Sequence, residues 1–230
     1  MTTEHKILYT SSSDLKDISN NSVDLIVTSP PYPMIEMWDT QFFKINPKIE
    51  TELNDNRASE AFSLMHEELD KTWDECYRVL KEGGIACINI GDATRSIKNK
   101  FQLFNNHSRI VNYCLSIGFC SLPAILWRKQ TNAPNKFMGS GMLPPNAYVT
   151  LEHEYILIFR KGNIRKFKTE EEKELRRESA IFWEERNVWF SDIWDFKGIK
   201  QKLSIDKTRN RSAAYPFELA YRLINLFSIK

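Results

Sequence analysis

The chain has 230 residues, 42% of them hydrophobic and 27% charged, the balance of a soluble globular protein with a core of its own. No apolar run approaches the length of a membrane span, and the opening Met1-Thr2-Thr3-Glu4-His5-Lys6 has no secretion-signal pattern, so a cytoplasmic protein with no membrane partner is expected. The net charge of +2 neither demands nor excludes nucleic acid, and any DNA surface has to come from local clustering.

Residues Ile7 to Ile18 read as a short strand and a polar turn, and Asn20-Asn21-Ser22 as the turn before the next element. Val23-Asp24-Leu25-Ile26-Val27 is an apolar, β-branched run expected to form a buried parallel strand. It ends in Thr28-Ser29-Pro30-Pro31-Tyr32, where two prolines stop further pairing and fix the backbone just past the strand's carboxyl end. In open α/β sheets that edge is where ligands bind. The loop combines rigid carbonyl acceptors, the Ser29 hydroxyl and the Tyr32 ring. It suits a planar group bearing an amino substituent, stacked on Tyr32, with its N–H protons accepted by Ser29 and the Pro30 carbonyl.

This Thr-Ser-Pro-Pro-Tyr loop, led in by Ser22-Val23-Asp24-Leu25, resembles the catalytic motif of the amino-group DNA methyltransferases. The match is to those that act on the exocyclic N4 of cytosine; adenine-specific relatives more often carry Asp or Asn at the serine. The resemblance implies a Rossmann-like α/β methyltransferase sheet, S-adenosylmethionine as methyl donor, and double-stranded DNA from which the target cytosine is flipped. It assigns Ser29, Pro30, Pro31 and Tyr32 to catalysis and places Thr28 on the cofactor side.

Pro33 to Asp39 is a loop with apolar residues, read equally as a core edge or lid and as a wall of the base pocket. Ala61 to Leu80 has a helical period that puts Phe62, Met65, Leu69, Trp73, Cys76, Tyr77 and Leu80 on one face, a core stripe rather than a cofactor box. Lys81-Glu82-Gly83-Gly84 is expected to end that helix, and Ile85 to Ile90 to be the next buried strand. Asp92 follows at its carboxyl end, either lining the active site on the cofactor side or capping the next helix. Phe101 to Gly118 reads as a second helix. Phe119 to Lys129 and Tyr155 to Lys161 read as strands of the antiparallel hairpin that closes a methyltransferase sheet.

Between those strands Asn132 to Thr150 forms a long loop rich in Asn, Pro and Gly. Phe137-Met138-Gly139-Ser140-Gly141 imitates the family's Phe-x-Gly-x-Gly cofactor signature. It follows no buried strand and runs into Met142-Leu143-Pro144-Pro145, so it is rejected as the cofactor turn and read as an approach to the DNA backbone. Phe167 to Glu178 is a charged, solvated helix. The aromatic residues Phe182, Trp183, Trp189, Phe190, Trp194 and Phe196 read mostly as a satellite core, with one or two free to stack on bases. Arg176, Arg177, Arg186, Lys197, Lys200, Lys202, Lys207, Arg209 and Arg211 are the phosphate-contact candidates.

Tyr215-Pro216-Phe217-Glu218-Leu219-Ala220 resembles the family's opening of the helix that contacts the methionine part of the cofactor, without the usual His-Pro start. Tyr215 and Pro216 are therefore cofactor-binding candidates, on a helix from Glu218 to Phe227. The four cysteines, Cys76, Cys87, Cys114 and Cys120, form no metal-ligand spacing, read as core thiols, and are not needed as nucleophiles; no metal is expected.

In this subgroup the catalytic motif precedes the cofactor-binding half, and the chain ends where that half is expected to begin. The expected division is a catalytic half over 1–162, a target-recognition insertion over 163–210, and a helix over 211–230 leading towards the cofactor region. A sheet edge left open would then take a second polypeptide carrying the cofactor half, with a truncated gene as the next explanation. Adenine N6 methylation and a non-catalytic or inactive DNA-binding fragment are the competing readings.

Overall fold

The computed structural model describes residues 4–129, 138–198 and 216–229. Strand β1 (Val23–Thr28) leads through a 3-10 turn and two short helices, α1 (Asp39–Ile45) and α2 (Lys48–Asn54), to the long helix α3 (Ala58–Val79). Strand β2 (Leu80–Ile90) follows without a loop, then a hairpin of β3 (Ala93–Ile97) and β4 (Lys100–Phe104), helix α4 (Asn106–Ser116) and strand β5 (Phe119–Arg128). A two-residue ladder of β6 (Met138–Gly139) and β7 (Ala147–Tyr148) precedes β8 (His153–Lys161). Helices α5 (Glu170–Glu178) and α6 (Trp183–Trp189), the short strand β9 (Ile193–Asp195) and helix α7 (Phe217–Phe227) complete the described chain.

Five strands form one sheet in the order β1-β2-β8-β5-β9. β1 is parallel to β2, β8 is antiparallel to both its neighbours, and β9 is parallel to β5. The expected closing hairpin is therefore present as β5 and β8. Alternation along the strands separates two cores. Ala86, Ile88, Leu157 and Phe159 pack with Met65, Leu69 and Trp73 of α3 and Ile110 of α4. Ile85, Cys87, Ile156, Ile158 and Trp127 pack with Trp194 and with Leu219 and Leu223 of α7. Along α3 the stripe residues Met65, Leu69, Trp73 and Cys76 are buried and Phe62 and Tyr77 partly so, each fully buried large side chain contributing about 1.5–3 kcal/mol on removal from water, while Leu80, expected to end the helix, opens β2.

Several local expectations change. Residues 7–18 form no strand; the serine hydroxyls of Ser11 and Ser13 bond each other, and the segment is held against α3. Glu75 accepts from the Leu15 N–H, and Arg78 donates to the carbonyls of Leu15 and Ile18. β1 is half-buried rather than buried because it is an edge strand, paired on one side among the described residues. Residues 101–104 belong to a hairpin, not a helix: Lys98 and Asn99 adopt φ of 46° and 62°, a tight turn, and the helix begins at Asn106. Gly83 and Gly84 lie inside β2 instead of beyond a helix end. Gly83 takes φ 78° at an irregularity in the β1–β2 register, where a Cβ would lie 2.7 Å from the Arg165 backbone nitrogen. Of the aromatic group, Trp189 and Trp194 are buried and Phe196 packs against Trp194 and Trp127, whereas Phe182, Trp183 and Phe190 are exposed. The Phe167–Glu178 helix starts later, at Glu170, behind a Thr169 capping box.

Candidate active site

Strand parity builds the site. Val27 shares the α7-side core with Cys87, Ile156 and Trp127; continuing each alternation to the same end of the sheet brings Ser29, Asn89 and Glu154 beside one another. There the Thr28, Ser29, Pro30 and Tyr32 loop lines a cavity of about 550 Å³, with Asn89, Trp127, Lys129, Glu154 and Pro216 on its other walls. Ile35, Met37 and Trp38 also line it, so the loop after the prolines supplies a wall at those positions, while Met34 turns into the core. Met34 holds φ 67°, a strained conformation for a side chain of this size, fixed by its complete burial.

Tyr32 is tied down at its hydroxyl. Tyr32 Oη donates to Glu154 Oε2 at 2.9 Å and accepts from Asn89 Nδ2 at 2.8 Å. Asn89 Nδ2 also donates to Glu154 Oε2 at 2.7 Å, and Lys129 Nζ to Glu154 Oε1 at 3.1 Å. Lys129 Nζ sits 5.3 Å from the centroid of the Trp127 ring. Ser29 Oγ lies 3.3 Å from Tyr32 Oη. The single phenolic proton goes to the carboxylate, so the Ser29 hydroxyl is the donor in that contact and its oxygen can still accept a hydrogen bond. Asn89, 2% exposed, has its Nδ2 directed at the acceptor-only carboxylate, which leaves its buried Oδ1 without a partner among the described residues.

A second network holds the loop from behind. Asn106 Nδ2 donates to the carbonyls of Pro33 at 3.1 Å and Gly91 at 2.9 Å, joining the loop to the end of β2. Its Oδ1 accepts from His66 Nε2 at 3.0 Å. Burial drives the His66 pKa down to about 3, so this ring is neutral. At Gly91 a Cβ would lie 3.1 Å from the Tyr32 ring, so glycine lets the ring lie against the strand end.

Asp92 is placed elsewhere. Both its oxygens lie within 2.9 Å of His107 Nδ1, and its Oδ1 accepts the His107 backbone N–H at the start of α4. It is not among the residues lining the cavity. Pro31 neighbours the cavity without lining it, and Tyr215 lies outside the described residues. Phe137, Lys200, Lys202, Lys207, Arg209 and Arg211 also lie outside them. Gly139, Ser140 and Gly141 form a short strand end and turn, where the Ser140 N–H donates to the Asn146 carbonyl. Asn89, Trp127, Lys129 and Glu154 were not singled out from the sequence. Their signal was present as polar residues at the ends of apolar strand runs, but only strand pairing shows that those ends converge.

Among the described residues no His, Cys, Asp and Glu group is placed to hold a metal ion, and no helix is long and apolar enough to cross a membrane. Burial pushes the Cys76 thiol up to about 12 and raises Cys87 and Cys114 as well, the opposite of an activated nucleophile.

A half-sheet with a Ser-Pro-Pro-Tyr loop at a parallel strand's carboxyl end, closed by an antiparallel hairpin, defines a Rossmann-like methyltransferase fold. The family model described as DNA methylase, covering N6 and N4 enzymes, matches residues 23–230, and the chain belongs to that family. The whole chain is 59% identical to the type II methyltransferase M.MthZI of Methanothermobacter thermautotrophicus and spans 65% of that protein's length. It is 50% identical to the type II methyltransferase M.MjaI of Methanocaldococcus jannaschii, of which it spans 78%. Among solved structures, a DNA modification methylase of Thermus thermophilus complexed with S-adenosyl-L-methionine superimposes with a TM-score of 0.65 and 28% identity, over 94% of this chain and 70% of that one. The PvuII cytosine-N4-specific DNA methyltransferase shares the fold, at a TM-score of 0.51 and 14% identity, over 93% of this chain and 66% of that one.

Proposed function

We propose that this chain carries the catalytic half of a site-specific DNA methyltransferase that moves a methyl group from S-adenosylmethionine to the exocyclic N4 of a flipped cytosine, as part of a restriction-modification system. The observation that carries the reading is that Ser29, Pro30 and Tyr32 together line one cavity of about 550 Å³, with Ser29 Oγ in contact with the Tyr32 hydroxyl. Membership of the DNA methylase family and the type II relatives support the reaction class. Serine, rather than the acidic or amide residue more frequent in adenine enzymes, favours cytosine. Adenine N6 is the second reading, since both bases present the same amino group.

The donor set suits the cofactor's amino-acid end. Pro216 on the cavity wall caps helix α7, and the N–H groups of Phe217 and Glu218 at its start are suited to a carboxylate. Pro216 and Thr28 are thus proposed on the cofactor side, with Tyr215 next to Pro216 in sequence. When bound, S-adenosylmethionine supplies an electrophilic methyl on a sulfonium. The chain's own residues do the rest. Ser29 Oγ and the Pro30 carbonyl accept the two amino protons, which localises the nitrogen lone pair and aims it, and Pro31 keeps the loop rigid. Tyr32, clamped by Glu154 and Asn89, offers a fixed face for the ring, a contact worth about 1–3 kcal/mol. Orientation supplies much of the acceleration. Asp92 enters this proposal only through the α4 start that it caps.

The share of the relatives' length that this chain does not span is where we place the adenosine site, supplied in the same polypeptide or by a second one. β1 pairs on one side among the described residues and leaves a sheet edge for it. Residues 163–210 are proposed as the DNA-recognition insertion, with Arg176, Arg177 and Arg186 as described cations, Arg186 lying over the exposed Trp183 and Phe190 rings.

Transfer of tritiated methyl from S-adenosylmethionine to DNA, with this chain alone and with the cofactor-binding portion added, tests the proposal. Nucleoside analysis locates the label. N4-methylcytosine that disappears in Ser29→Ala supports it, label on adenine moves it to the second reading, and no transfer in either tube overturns it.

A further inference from the structure

We propose that Glu154 is the acceptor for the proton released on methylation, reached through a relay from Ser29 Oγ to Tyr32 Oη to Glu154 Oε2; this rests on the methyltransferase reading above. The amino nitrogen that gains a methyl must lose a proton, and neither the Ser29 hydroxyl nor the Pro30 carbonyl is basic enough to keep it. The network already points one way. Tyr32 Oη accepts from Asn89 Nδ2 at 2.8 Å, so its proton is committed to Glu154 at 2.9 Å, and Ser29 at 3.3 Å is left to donate towards Tyr32. Every hydroxyl is thus oriented for transfer towards the carboxylate.

Glu154 also sits where a proton can reach it from the cavity and leave to water. Its side chain is 15% exposed, Lys129 Nζ holds the other oxygen at 3.1 Å, and both residues line the cavity. The carboxylate comes from β8, 122 residues after Tyr32 in the chain, so the pairing is a product of the fold.

The balance closes. The amino lone pair forms the N–CH3 bond while the S–CH3 bonding pair stays on sulfur. One amino proton passes to Ser29 Oγ as the Ser29 proton moves to Tyr32 Oη and the Tyr32 proton to Glu154 Oε2. The positive charge of the sulfonium and the negative charge of the carboxylate are consumed together, leaving a neutral methylamine, a thioether and a carboxylic acid that returns its proton to water.

The test compares unsubstituted protein with Glu154→Gln, Tyr32→Phe and the double variant, in the preparation that transfers methyl groups. Glutamine keeps an acceptor at 154 but cannot become an acid, and phenylalanine keeps the stacking face while cutting the relay. Each single variant is expected to lower kcat by about 10²-fold, the low end for general acid–base catalysis, with KM for DNA nearly unchanged. The double variant should be no slower than the worse single one, because both cut one path. Glu154→Asp should recover part of the rate. Wild-type kcat in either single variant, or additive losses in the double one, overturns the relay while leaving the methyltransferase reading standing. If Glu154→Gln does not fold, Tyr32→Phe at wild-type rate is enough to overturn it. No transfer by the unsubstituted protein overturns the underlying reading instead.

Discussion

The Tyr32 hydroxyl donates to Glu154 Oε2 at 2.9 Å, across 122 residues of chain. That bond changes what the Tyr32 ring can do. A tyrosine in an exposed loop samples several rotamers; this one is held from its far end by a carboxylate and an amide, with Gly91 against its edge. The stacking face is therefore set before a base arrives, and little ordering entropy remains to be lost on binding.

Ser29→Ala removes one of the two amino acceptors without touching the core, since Ser29 is exposed. Methyl transfer is expected to fall by about 10²-fold or more in kcat, the scale seen when one preorganised hydrogen-bonding group is lost from a reacting centre. The thermal midpoint should stay unchanged, which scanning calorimetry checks alongside the tritium assay.

Gly91→Ala acts on the same ring from the strand side. The new Cβ would sit 3.1 Å from Tyr32 Cε2 and 3.4 Å from Glu154 Cγ, so the ring has to shift by a few tenths of an ångström. We expect transfer to drop by about ten-fold, because small misplacements of positioning groups are costly, with stability reduced by no more than about 1 kcal/mol. Parallel kinetics and urea unfolding separate the two effects.

Acid should weaken the fold through His66. Its folded pKa, driven by burial to about 3, lies below the ordinary value of 6.5, so between those limits the unfolded chain binds a proton that the folded one does not. Stability is therefore fully present above about pH 6.5 and falls as pH is lowered, by about 2 kcal/mol between pH 7 and pH 5 from this group. Asp70 works in the other direction, since burial raises its carboxyl pKa, with Arg109 opposing the rise. Urea unfolding across that range should show the loss, and His66→Gln should flatten it. An unchanged slope in the variant would assign the acid sensitivity elsewhere.

Gly83→Ala tests the irregularity in β2. At φ 78°, with Arg165 backbone atoms 2.7 and 2.8 Å from the new Cβ, neither the substituted residue nor its neighbour can relax cheaply. A loss of more than about 1 kcal/mol is expected in urea unfolding. Gly118→Ala, also at positive φ but facing the movable Tyr77 hydroxyl, should cost less.

Local pattern made much of this protein legible. The β-branched run before Ser-Pro-Pro-Tyr, the apolar stripe of α3 from Phe62 to Tyr77 and the two strands of the closing hairpin each follow from a periodicity contained within one segment. Boundaries went wrong where side chains or turn chemistry outweighed that periodicity, as in the serine-rich segment before β1 and at Lys98-Asn99, which turns a hairpin where a helix was expected. The Thr28–Tyr32 loop could be chosen from sequence because its chemistry is carried by adjacent residues. Asn89, Lys129 and Glu154 could not, because a polar residue at the end of an apolar strand reads as an ordinary exit to solvent. Only the pairing of β2 and β5 with β8 puts those ends together, buries Asn89 and gives the Tyr32 hydroxyl its acceptor. Sequence determined the loop that presents the acceptors; the register of strands far apart in the chain decided which groups orient it, since hydrogen bonds form only between atoms that the fold has brought within about 3 Å.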